Sequence, residues 1–119
     1  MNNPIIIAVD AMGGDDSPKK VVEGISIHSK LSKEINYKLF GNKDLIIPLI
    51  NKYDLPKNRI ELIHTDKIVE GEDTALSAAK RGKDTSMWLA IESLKNNEAN
   101  AIVSAGNTGA LFLISKLNL

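Results

Sequence analysis

The chain has 119 residues, with 15 Lys and Arg balanced by 15 Asp and Glu, 43% hydrophobic residues and no cysteine. That composition suits at most one globular domain and excludes a disordered chain, a collagen-like repeat, a disulfide scaffold and a thiolate zinc site. Zero net charge argues against a general nucleic-acid binder, and no apolar run reaches the roughly 20 residues that span a bilayer.

The first element is the β-branched run Ile5-Ile6-Ile7-Ala8-Val9-Asp10, read as a strand buried on both faces of a parallel sheet. Met12-Gly13-Gly14-Asp15-Asp16 breaks it as a polar loop. Ser17-Pro18 then reads as a helix start, with serine at the N-cap and proline at the first helical position. In the helix that follows, Lys19, Glu23, Ser26, Lys30 and Lys33 form the polar face, with Val21, Val22, Ile25 and Leu31 opposite. Gly24 interrupts the apolar stripe, either to let the helix approach a sheet or as a tolerated weak point. His28 falls on the apolar side as a packed or edge residue.

Tyr37-Lys38-Leu39-Phe40 predicts a second strand and Gly41-Asn42 a turn. Leu45 to Ile50 predicts a helix that begins near Pro48 or kinks there, because proline removes a backbone donor. After the break at Leu55-Pro56, Ile60 to His64 predicts a third strand. Residues 65–84 are polar, with an alanine-rich helical patch from Thr74 to Lys80. Met87, Ala90, Ile91 and Leu94 have the spacing of a helix packed on a core, with Trp88 beside them as packing. Ala101-Ile102-Val103 predicts a fourth buried strand, 106–109 a loop, and Ala110 to Leu117 a closing helix that is apolar nearly all round. Strands alternating with helices predict βαβ units with a parallel sheet.

Ligands of open α/β sheets bind beyond the carboxyl ends of the strands. Two loops qualify. In the second, Ser104 to Ala110, Gly106 and Gly109 let backbone approach a ligand, Ser104, Asn107 and Thr108 offer donors, and a helix N-terminus follows, so phosphate would fit; a plain glycine turn fits the same residues. It matches neither a dinucleotide fingerprint nor a P-loop. In the first, Asp10, Asp15 and Asp16 would orient a substrate, act as a base or hold magnesium, or serve only turns and caps. Arg81, Lys83, Thr85 and Ser86 would hold phosphate or an acidic carrier, or form a solvated loop with Thr85 or Ser86 as helix cap. Neither histidine is marked as a general base.

Together and in this order, Ala8-Val9-Asp10-Ala11-Met12-Gly13-Gly14-Asp15 with Pro18, the segment Arg81, Lys83, Ser86, Met87, and Ser104-Ala105-Gly106-Asn107-Thr108-Gly109-Ala110-Leu111 resemble bacterial phosphate acyltransferases along the whole chain. The resemblance implies a Rossmann-like three-layer α/β/α fold with a mainly parallel sheet. It implies transfer of a fatty acyl group from acyl carrier protein to inorganic phosphate, giving an acyl phosphate for phospholipid synthesis, with no metal or organic cofactor. It implies a homodimer, cytoplasmic or peripheral at the inner face of the membrane. Asp10, Lys83 and Asn107 are the catalytic candidates. Gly13, Gly14, Asp15, Arg81, Ser86, Ser104, Gly106, Thr108 and Gly109 are the substrate-binding candidates. Position 16 is often histidine and position 82 often lysine in relatives; here they are Asp16 and Gly82. Family chains run to about three times this length, so residues 1–119 are expected to be the N-terminal part of one domain, a truncated copy without turnover of its own. A phosphotransacetylase-like enzyme using acyl-CoA and a non-catalytic remnant are the alternatives.

Overall fold

In the computed structural model, which describes residues 4–80 and 83–119, four strands form one parallel sheet in the order β3-β2-β1-β4. The elements run β1 (Ile5–Asp10), α1 (Lys19–Leu31), β2 (Ile35–Gly41), α2 (Lys43–Lys52), β3 (Ile60–His64), α3 (Ala75–Lys80), α4 (Ser86–Lys95), β4 (Ala101–Val103) and α5 (Thr108–Asn118). Side chains alternate across the sheet. Val9, Tyr37 and Leu39 pack with Val22 and Ile25 of α1 and Ile46 and Ile50 of α2. Ala8 and Phe40 pack on the other face against Ala90 of α4. Beyond it, Met87, Trp88 and Ile91 of α4 meet Ala78 of α3 and Ala110 and Ile114 of α5. The three-layer α/β/α arrangement follows from apolar residues on both sheet faces. Each fully buried aliphatic, such as Leu39 or Ile46, contributes about 1.5–3 kcal/mol.

Several local expectations are corrected. Helix α1 starts at Lys19 with Pro18 in the N-cap position. The Ser17 hydroxyl donates instead to the Gly13 carbonyl within the loop, and its oxygen accepts no cap hydrogen bond from α1. Ser26 is buried, because α1 touches α2 as well as the sheet, and its Oγ donates to the Tyr53 carbonyl at 3.0 Å. Leu31, at the end of α1, is exposed. His28 lies at the edge, with Nδ1 2.6 Å from the Tyr37 hydroxyl. The amino half of β1 is not buried on both faces, since Ile5 is half exposed.

β4 is not a buried strand either. It forms a sheet edge, and Val103 is 53% exposed because α1 lies toward β2 and leaves β4 uncovered. On α5, Ala110 and Ile114 are buried, whereas Phe112 and Leu117 are exposed.

Helix α2 runs through Pro48 from Lys43. Asn42 caps its start by accepting from the Asp44 N–H at 2.9 Å. His64 Nδ1 accepts from the Lys43 N–H at 3.1 Å, so this histidine serves a helix terminus. Proline is tolerated here because Asp44, whose carbonyl loses its helical partner, is exposed to water. Pro48→Ala is therefore expected to stabilise the chain by about 1 kcal/mol, less than the full helix-interior difference because proline also restricts the unfolded chain. A urea midpoint that stays put or falls contradicts this.

Candidate functional site

Strand order reverses between β1 and β4. The chain leaves β1 toward α1 on one face and leaves β4 toward α5 on the other, opening a crevice at the carboxyl ends. Asp10 ends β1 on the α4 side and is 2% exposed. A buried carboxylate is costly unless donors surround it. Here the Ser86 hydroxyl donates to Oδ1 at 2.6 Å, the Met12 N–H donates to the same oxygen at 3.2 Å, and the Ser104 hydroxyl donates to Oδ2 at 2.9 Å. The Ser104 oxygen in turn accepts from the Gly106 N–H at 3.2 Å. One carboxylate thus ties the end of β1, the start of α4 and the β4–α5 loop together.

The two glycine loops lie backbone against backbone. A Cβ on Gly13 would fall 2.6 Å from Asp10 Oδ2 and 2.9 Å from the Gly106 nitrogen. Gly14 has φ of +90°, and a Cβ there would fall 2.9 Å from the Ala105 carbonyl oxygen. Only glycine meets both demands without strain.

A cleft of about 770 Å³ lies between these loops and the segment 68–72. Asn107 caps α5: its Oδ1 accepts from the Ala110 N–H at 3.0 Å, while Nδ2 donates to the carbonyls of Glu70, Gly71 and Asp73. Thr108 and Gly109, the first residues of α5, line the cleft, and their N–H groups have no protein partner among the described residues. They form a donor-rich end of the helix. Asp15, Asp16, Glu70 and Glu72 also line the cleft, and its described lining holds no lysine or arginine.

The site candidates therefore fall into groups. Asp10, Gly13 and Ser86, all buried, form one network with the half-buried Ser104 and Gly106. Gly14, Asp15, Asn107, Thr108 and Gly109 line the cleft. Lys83 is exposed on the turn before α4, outside the cleft lining, and Arg81 lies outside the described residues. Thr85 is the cap of α4, accepting from the Trp88 N–H at 3.2 Å. Lys67 is engaged by Asp84 at 2.8 Å; that hydrogen bond raises the Lys67 pKa and lowers that of Asp84, and both side chains are exposed. The cleft wall 68–72 was not anticipated within the polar stretch 65–84. Gly71 among acidic residues marks a turn there, but no local pattern points it toward Asn107, in a loop so far along the chain.

Residues 5–119 match the family model described as "Fatty acid synthesis protein". The chain is 54% identical over 119 residues to the phosphate acyltransferase of Pelagibacter ubique, covering 100% of this chain and 35% of that protein. It is 40% identical over 120 residues to the phosphate acyltransferase of Azorhizobium caulinodans, covering 100% of this chain and 34% of the relative. Against the enzyme of the same name in Listeria welshimeri it is 47% identical over 105 residues, covering 88% of this chain and 30% of that one. The chain spans about a third of the length of the curated relatives it matches.

Proposed function

This chain belongs to the fatty acid synthesis protein family, and on that premise we propose that it carries the phosphate-holding part of an enzyme that moves a fatty acyl group from an acyl carrier protein thioester to inorganic phosphate. The observation that carries this reading is the start of α5, with its unpartnered N–H groups, facing a cleft between two interlocked glycine loops. In the reaction, a phosphate oxygen attacks the thioester carbonyl carbon. A C–O bond forms, the C–S bond breaks, and the thiolate leaves on the carrier, taking a proton. Phosphate is a weak nucleophile, so holding it against the carbonyl supplies much of the rate.

The N–H groups of Thr108 and Gly109 and the Thr108 hydroxyl hold phosphate, and Asn107 keeps the helix start in place. Lys83 lies outside the cleft lining, so the positive charge that phosphate meets within this chain is the partial charge of the α5 N-terminus. Asp10 orders the loops from beneath. The same reading includes a homodimer working in the cytoplasm at the inner face of a membrane; no helix among the described residues is long and apolar enough to cross one.

The test is phosphate titration of this chain, read on the amide resonances of Thr108 and Gly109. Both are expected to shift and saturate. Asn107→Ala removes the cap and the tie to 70–73, and should raise the phosphate needed for half-saturation about tenfold. Unshifted amides, or an Asn107→Ala titration that overlays the parent, would sink the assignment.

A further inference from the structure

Gly24 lies in the middle of α1, where glycine weakens a helix relative to alanine. Close packing does not explain it, since a Cβ there would meet no atom within 4 Å. The residue opens instead onto a groove of about 490 Å³. Ile7 and Val9 of β1 and Val103 of β4 form the groove floor, on one sheet face by register, with Val21 and Ile25 of α1 as the wall. At its far end the groove turns polar. Asp15, Ser17 and Ala105 line both this groove and the cleft assigned to phosphate. An apolar channel and a polar cleft therefore meet at the two glycine loops.

We propose that this groove holds the first methylenes of an unbranched acyl chain, with the thioester carbonyl at the junction, within reach of phosphate in the cleft. The proposal rests on the acyl-transfer reading above. Three observations favour this occupant. Ile7, Val9 and Val103 carry no hydrogen-bonding group, and Tyr37 and His28, which also line the groove, are hydrogen bonded to each other at 2.6 Å. The groove is continuous with the polar cleft at the point where carbonyl and phosphate must meet. The missing side chain at Gly24 keeps the wall open, although almost any other residue would make a better helix.

The probes are neutral truncated thioesters, the hexanoyl, heptanoyl and octanoyl esters of N-acetylcysteamine, titrated into the chain and read on the methyl resonances of Val21 and Val103. Affinity is expected to rise about fourfold per added methylene, the value of burying one CH₂. Gly24→Leu places a side chain in the groove and improves helix propensity, so it should keep or raise the melting temperature while weakening the octanoyl ester at least tenfold. Phe112→Ser, on the exposed face of α5, should leave binding unchanged.

Affinity independent of chain length would overturn the proposal. So would octanoyl binding that survives Gly24→Leu or is lost in Phe112→Ser. If a second copy of the chain covers the groove instead, the parent sediments as a dimer that Gly24→Leu dissociates, and that too overturns it. Phosphate binding is read separately at Thr108 and Gly109. Its loss with the thioester series intact defeats the phosphate assignment, whereas the reverse defeats only the groove.

Discussion

Asp10→Ala is expected to lower the free energy of unfolding by about 3 kcal/mol. The substitution leaves the Ser86 and Ser104 hydroxyls and the Met12 N–H without their acceptor. Ser86 is 1% exposed, so its hydroxyl cannot turn to water. Each orphaned buried group costs about 1–3 kcal/mol, and the carboxylate's own desolvation, relieved by the change, offsets part of the sum. Asp10→Asn should cost only about 1 kcal/mol. Its amide oxygen still accepts from Ser86 and Met12, and its NH₂ meets the Ser104 oxygen, which has a lone pair left after accepting from Gly106. Urea unfolding at unchanged m separates the two variants. Equal losses would show that charge, and not the pattern of donors, holds the network. A loss under about 0.5 kcal/mol for alanine would show that the network contributes nothing measurable. With its β4–α5 loop released, folded Asp10→Ala should also bind phosphate more weakly.

The alternation of strands and helices was legible because it is local. Ile5–Asp10 is a β-branched run and Ile60–His64 an Ile- and Leu-containing segment, each bounded by turn residues, and Met87, Ala90 and Ile91 repeat at helical spacing. The edge position of β4 was not legible. Ala101-Ile102-Val103 reads as a buried strand by composition, and its exposure follows from the strand order and from where α1 lies. Ser26 shows the same limit: helical spacing placed it with lysines, whereas contact between α1 and α2 buries it.

At the site, the two loops and their glycines could be picked out by position beyond strands. The partition of their residues could not. Ser86 and Ser104 read as ligand donors because each sits among small polar residues near a helix start. Their hydroxyls turn to one carboxylate that lies 76 and 94 positions away along the chain. Asn107 likewise reads as a donor to ligand, while its amide spans the cap of α5 and the 70–73 backbone. Which polar groups remain free for a ligand depends on pairings between distant segments, and no spacing in the sequence encodes them.

The glycines read as equivalent by sequence should separate sharply under substitution. Gly13→Ala is expected to cost about 3 kcal/mol, the upper end of ordinary overpacking. Its Cβ meets Asp10 Oδ2 at 2.6 Å and Gly106 backbone at 2.9 and 3.1 Å. Neither neighbour is the free end of a flexible side chain. The carboxylate is pinned by Ser104, and the loop backbone can move only if that bond opens. Gly109→Ala should be nearly neutral in stability, because its Cβ comes no closer than 3.5 Å to Asn107 Oδ1. A double-mutant cycle tests the cause. Asp10→Ala removes the nearest clash, so Gly13→Ala should cost about 1 kcal/mol less in that background than in the parent. Strict additivity would place the strain on the Gly106 backbone alone, and the carboxylate would then have no part in setting how closely the two loops approach.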